Sequence, residues 1–148
     1  MFHREFSTTT TASRARIWAL WTDINNWSQW NAGVEASALV GPFVAGARFS
    51  MTPTGQEAMT SRLVRVEEGV AFVDETVLDD ISVTVEHRIE SLGEGQLRIV
   101  YSASVTGPGA EHVGAMVTED FDDVLAALVQ LAEGASRRFD ALDALQAR

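Results

Sequence analysis

Three histidines, His3, His87 and His112, are the side chains here whose ordinary titration falls near neutral pH, and they stand far apart in the chain. None belongs to an H-E-x-x-H or comparable ligand spacing, so no protein-built metal centre is expected. The chain has no cysteine, which removes disulfides, thiolate nucleophiles and cysteine metal sites. It has no lysine either: all 11 basic residues are arginine, so Schiff-base chemistry has no amine to use. No G-x-G-x-x-G, G-x-x-x-x-G-K or G-x-S-x-G segment occurs, and no cofactor is expected.

What remains is a set of polar and aromatic side chains on rows that otherwise read as apolar. His87 stands between Val85 and Ile89 at strand spacing, so it shares their inward face. An inward imidazole can move a proton or hold a ligand oxygen; the alternative is a core histidine satisfied by a neighbour. Tyr101, the only tyrosine, falls on the apolar side of the next strand, where its hydroxyl needs a partner. Phe72 draws Asp74 inward by alternation, whereas Val73 and Val77 would place Glu75 outward or, on the other register, inward. One carboxyl therefore faces inward on either register unless a bulge intervenes. An inward carboxylate is costly unless paired. Arg62, read on one face with Val64 and Val66, is the expected cation for Asp74 or Glu75, with a solvated pair as the alternative. Asp23 is expected to cap a short helix rather than to do chemistry.

The elements that position these groups follow from pattern. Phe2 to Thr10 alternates and is rich in threonine, which suits a strand. Ser13 can cap a helix from Arg14 to about Thr22, and a second short helix runs from Asn25 to about Trp30. Strands are then predicted at Val34–Val40, Ala47–Thr52, Ala58–Glu67, Ala71–Leu78, Ile81–Glu90 and Gln96–Thr106. The gaps between them carry turn residues and are short, which predicts an antiparallel meander. After Gly107-Pro108-Gly109, apolar residues from Val113 through Phe121, Leu128, Phe139 and Leu142 recur at steps of three and four. That spacing predicts one long amphipathic helix, interrupted in propensity only at Gly134, lying on the apolar face of the sheet. Arg137, Arg138 and Arg148 would then complement its C-terminal dipole. The fold class is α+β.

At 148 residues, with 46% apolar and 22% charged side chains, the chain is expected to form a single domain spanning 1–148. A net charge of -10 argues against nucleic acid. The acidic cluster Glu119, Asp120, Asp122 and Asp123 reads as a solvated helix face. No apolar run reaches the length of a membrane span, and the N-terminus lacks a signal-peptide pattern, so a cytoplasmic location is expected.

One strand, two short helices, six strands and a long helix is an order that resembles the START-like, or helix-grip, superfamily. Particular stretches resemble its bacterial polyketide cyclase/dehydrase branch: Ala12-Ser13 through Ile17-Trp18, Asp23 through Asn31, Gly46-Ala47-Arg48-Phe49, Val66-Glu67-Glu68-Gly69 and Glu86-His87-Arg88-Ile89-Glu90. The resemblance implies a curved antiparallel sheet of about seven strands gripping the C-terminal helix, with a ligand cavity between them. It transfers no catalytic set residue by residue. Placed on that fold, His87, Tyr101, Trp30, Phe72, Arg62, Asp74, Glu75, Met59 and Phe121 are the expected ligand-binding residues, with Trp30 as a lid. Trp18, Trp27 and Met51 add bulk that core packing explains equally well. The expected function is binding of a small hydrophobic or aromatic metabolite, polyketide- or lipid-like. The alternatives are an aromatase/cyclase or dehydratase using acid–base groups in the same cavity, and a protein-binding module whose cavity is filled by side chains. Partnership with a second copy, as a homodimer, stays open.

Overall fold

The computed structural model describes residues 1–146, with side chains described through residue 134. The N-terminal alternation forms β1 (Phe2–Thr10), and Ser13 caps α1 (Arg14–Thr22), its side chain accepting from the Arg16 amide at 3.1 Å. A 3₁₀ segment, Ile24–Gln29, follows. Asp23 does not cap this segment through its side chain; its carboxylate accepts from the Asn26 side-chain amide at 2.8 Å instead. Six strands come next: β2 (Val34–Leu39), β3 (Arg48–Pro53), β4 (Met59–Glu67), β5 (Ala71–Leu78), β6 (Ile81–Gly93) and β7 (Gln96–Thr106). They form one seven-stranded sheet in the order β1-β7-β6-β5-β4-β3-β2, with every neighbouring pair antiparallel. The meander and its boundaries follow the turn residues, since short gaps permit only hairpins.

The expected single helix is two. α2 (Ala110–Thr118) ends before Glu119-Asp120, and α3 (Phe121–Gln146) starts after them. The apolar stripe runs through the break, but the Thr118 hydroxyl turns back to the Gly114 carbonyl at 2.8 Å, a bond that bends helices. Asp122 and Asp123 fall in the first turn of α3, where negative charge meets free amides. Arg137, Arg138, Arg148, Phe139 and Leu142 lie outside the described side chains.

α2 and α3 lie principally against β1 and β7. Gly114 sits where α2 crosses the edge strand, and a Cβ there would enter the Phe2 ring. From α3, Val124, Leu125, Leu128, Val129 and Ala132 are buried in one cluster with Leu97, Ile99, Tyr101 and the α1 residues Ile17, Leu20 and Trp21. A second, smaller cluster joins Phe2, Val83, Val85, Ala103, Val105 and Ala110. Phe121, the first residue of α3, packs against both.

The alternation reads true in β6 and β7 and fails in β4. A register shift between Leu63 and Arg65 places one extra residue in β4 against β5. Such a bulge reverses parity along the strand. Leu63 is therefore buried and Val66 packs against the core, while Arg62 points outward rather than inward.

Candidate functional site

Antiparallel register sets inward side chains in rows across the strands. One row runs Val66, Phe72, His87, Tyr101, Phe6. The next runs Leu63, Asp74, Val85, Ala103, and beyond it Phe49, Ser61, Thr76, Val83, Val105. These registers bring four groups of separate sequence origin to one patch of the concave wall.

His87 lies flat on Phe72, ring centroids 4.0 Å apart and 8° from parallel, with the Tyr101 ring edge-on at 4.5 Å. Trp21 of α1 closes the cluster and donates from Nε1 to the Tyr101 hydroxyl at 3.2 Å. His87 Nδ1 is buried and has no hydrogen-bond partner, although the backbone at Phe72 and Val85 favours the protonated ring. Its Nε2 is 4.0 Å from Asp74 Oδ2, beyond a direct hydrogen bond. On the adjacent row the Ser61 and Thr76 hydroxyls bond to each other, at a buried position.

Burial decides the charge states. It pushes the Asp74 carboxyl up from 3.8 to about 7, with no cation near enough to oppose the shift. It pushes the His87 imidazole down to about 3, against a small opposite effect of the Phe72 and Val85 backbone. Burial also raises the Tyr101 hydroxyl, against the Trp21 hydrogen bond and with the charge of Asp74 adding to it. Near neutral pH the set is thus an uncharged imidazole, an uncharged phenol and a carboxyl poised at its midpoint. Groups with these properties can donate or accept a proton at a bound oxygen.

Asp74 is the inward carboxyl, and Glu75 the outward one. Glu75 pairs with Arg62 at 3.4 Å on the solvent side, so the expected ion pair forms away from the concave wall. The same outer face carries Arg88, which bonds Glu86 and Glu90, both at 2.8 Å, and Glu5 at 3.3 Å. Met59 opens β4 opposite Met51 of β3, and both stay half-buried. Phe121 reaches Phe6 at 5.4 Å and Tyr101 at 5.7 Å. Trp30 is buried against Trp27 at 5.9 Å and so belongs to the packed end of the molecule rather than to a free lid. Trp21, Ser61 and Thr76 are not among the expected ligand-binding residues; Trp21 is 80 residues from Tyr101, and no local signal connects them.

With α2 and α3 drawn to β1 and β7, the concave surface of β3 to β5 keeps accessible groups: Met51, Met59 and the Asp74 side chain, 13% exposed. A separate open cleft of about 560 Å³ lies beside α1, lined by Trp18, Thr22, Phe43, Val44, Val66 and Glu68. Trp18 and Phe43 pack edge-on to Phe72, at 6.4 and 5.2 Å, so this cleft abuts the back of the His87 stack. It holds neither His87 nor Asp74, and apart from the Trp18 indole its polar side chains are Thr22 and Glu68, which makes the concave patch the better candidate. Among the described residues no three His, Asp or Glu side chains are grouped to hold a metal ion. No helix among them is long and apolar enough to cross a membrane.

A seven-stranded antiparallel sheet curved around C-terminal helices, with two short helical segments after the first strand, defines a START-like helix-grip fold. The chain belongs to the family described as polyketide cyclase/dehydrase and lipid transport, which matches residues 1–133. A START superfamily protein from Mycobacterium smegmatis superposes with TM-score 0.71 at 15% identity, covering 90% of this chain and 98% of that one. The aromatase/cyclase Zhui from Streptomyces sp. R1128 gives TM-score 0.71 at 15% identity, covering 89% and 93%. The di-domain aromatase/cyclase BexL of the BE-7585A biosynthetic pathway gives TM-score 0.71 at 14% identity, covering 88% of this chain and 46% of that one. No curated protein matches the sequence.

Proposed function

We propose that the protein binds one small hydrophobic or aromatic molecule, polyketide- or lipid-like, on the concave wall of the sheet beside the start of α3. Phe72, His87, Asp74, Tyr101, Met59 and Phe121 would line the site. The observation that carries this reading is a buried His87 whose Nδ1 has no partner and whose Nε2 stands 4.0 Å from the Asp74 carboxyl, in a largely apolar wall. Buried polar atoms are nearly always satisfied, so one left unsatisfied calls for a partner that the chain itself does not supply, such as a water, an ion or a ligand. Family membership and the neighbours' folds support the same reading. Nile red, an uncharged apolar dye, tests it: titration should saturate at one dye per chain and raise the melting temperature with dye excess. An unsaturable or absent signal would end the proposal.

A second reading is favoured by one specific feature, the 4.0 Å approach of His87 to Asp74. In it the same groups act as acid and base on a bound carbonyl or hydroxyl, as in a cyclase or dehydratase. Its requirement is turnover of an added polyketide-like ketone that His87→Leu abolishes even at saturating ketone. Binding without turnover leaves the carrier reading alone.

A further inference from the structure

Among the described residues, no cation acts on Asp74 in the concave patch. The upward shift of Asp74 comes from burial with no positive neighbour to offset it, and His87 is uncharged. Arg62, Arg65, Arg88 and Arg98 are engaged in ion pairs with outer-face carboxylates. Arg14 is held by the Gly69 carbonyl and the Ser91 hydroxyl. Arg4 lies over the Phe6 ring on the edge strand, three strands from Asp74 or roughly 14 Å across the sheet. At the helix break Asp120 abuts Gly33, and burial together with Glu119 and Asp123 raises its carboxyl.

We infer that this site selects its ligand by charge, holding a hydrogen-bond-donating, non-anionic ring compound against Asp74 and refusing one that carries a carboxylate. The inference rests on the ligand-binding reading above and sharpens it. A bound carboxylate would be buried without a counter-ion beside a second carboxyl, the arrangement that costs most in a low-dielectric wall. A hydroxyl or an amine instead donates to Asp74 while its ring packs on Phe121 and the methionines. The groups that face Asp74 are His87 on β6 and Tyr101 on β7; His87 is already neutral and Tyr101 titrates far above neutrality, so Asp74 alone changes charge between pH 5 and 8.

Three probes of one shape test this by quenching of tryptophan fluorescence, since Trp21 borders the site: 2-naphthol, 2-naphthylmethylamine and 2-naphthoate. At about pH 8 the amine should bind at least about tenfold more tightly than the carboxylate. That gap should narrow at about pH 5, where Asp74 is protonated, and in Asp74→Asn at either pH. Naphthol should bind the wild type and Asp74→Asn within about threefold of each other. Naphthoate binding as tightly as the amine at high pH would overturn the charge inference and leave the ligand site standing. Failure of all three probes to bind would overturn the site itself.

Discussion

Replacing Asp74 by asparagine removes a titrating group from a buried wall and keeps its shape. In the wild type the folded carboxyl titrates near 7, against 3.8 when free, with its side chain only 13% exposed. A raised folded value means that ionisation opposes folding: stability falls as pH rises from about 4, and the loss is complete above about 7. The full loss is about 4 kcal/mol, of which about 3 kcal/mol falls between pH 5 and pH 8. His87 has the opposite sign, since its folded value of about 3 lies below 6.5. From about pH 4 to 6.5 the two trends cancel: the folded pair holds its proton on Asp74, and the unfolded pair holds it on the imidazole. In a comparison of the two proteins the histidine contribution drops out. Asp74→Asn should therefore gain about 3 kcal/mol on the wild type in moving from pH 5 to pH 8, a differential Tm shift of roughly 6–10 °C. Thermal melts by circular dichroism at the two pH values measure it. An equal Tm difference at both would show that Asp74 is not buried as the structure places it.

Leu128, fully buried under α3, gives the fold test: Leu128→Asp should lose more than about 3 kcal/mol, and a cooperative near-native melt would refute the placement of α3. His87→Leu strands no partner at Nδ1, so the Tm at neutral pH should change by less than about 3 °C while Nile red affinity shifts. The same variant should lose less stability than wild type on acidification below about pH 6, as seen in acid titrations followed by tryptophan fluorescence. Gly114→Val drives a side chain into the Phe2 ring and should cost about 2 kcal/mol or more in urea unfolding; an unchanged midpoint would mean that α2 does not cross β1 there.

What could be read in advance, and what could not, divides along physical lines. β6 and β7 have one buried and one wet face, so their alternation announces itself, and with it the inward aim of His87 and Tyr101. β4 carries the same kind of pattern, yet its bulge between Leu63 and Arg65 leaves no mark in residue type. That single extra residue moved Arg62 to solvent and took away the cation expected for Asp74. The choice between Asp74 and Glu75 was undetermined for a related reason: Val73 and Val77 are as apolar as Phe72, and only pairing across from Leu63 and Val85 fixes Asp74 inward. The break before Phe121 was hidden because the stripe of apolar residues continues across it. Its trace was the run of carboxylates, read as a solvated face, which also serves the first turn of α3.

These departures converge on one property of the wall. Had β4 kept its alternation, Arg62 would have neutralised Asp74 from inside, leaving an ordinary ion pair with a depressed carboxyl. The bulge exports that arginine to Glu75, and Phe121 at the start of α3 packs on Tyr101. Asp74 is left buried and unpaired, beside a histidine too desolvated to carry a charge. A carboxyl in that state costs stability above neutral pH, and a wall optimised for packing alone would replace it with leucine or asparagine. Its presence between Leu63 and Val85, one from each apolar cluster, is explained if a ligand supplies the missing hydrogen bonds, since binding then returns what folding gave up.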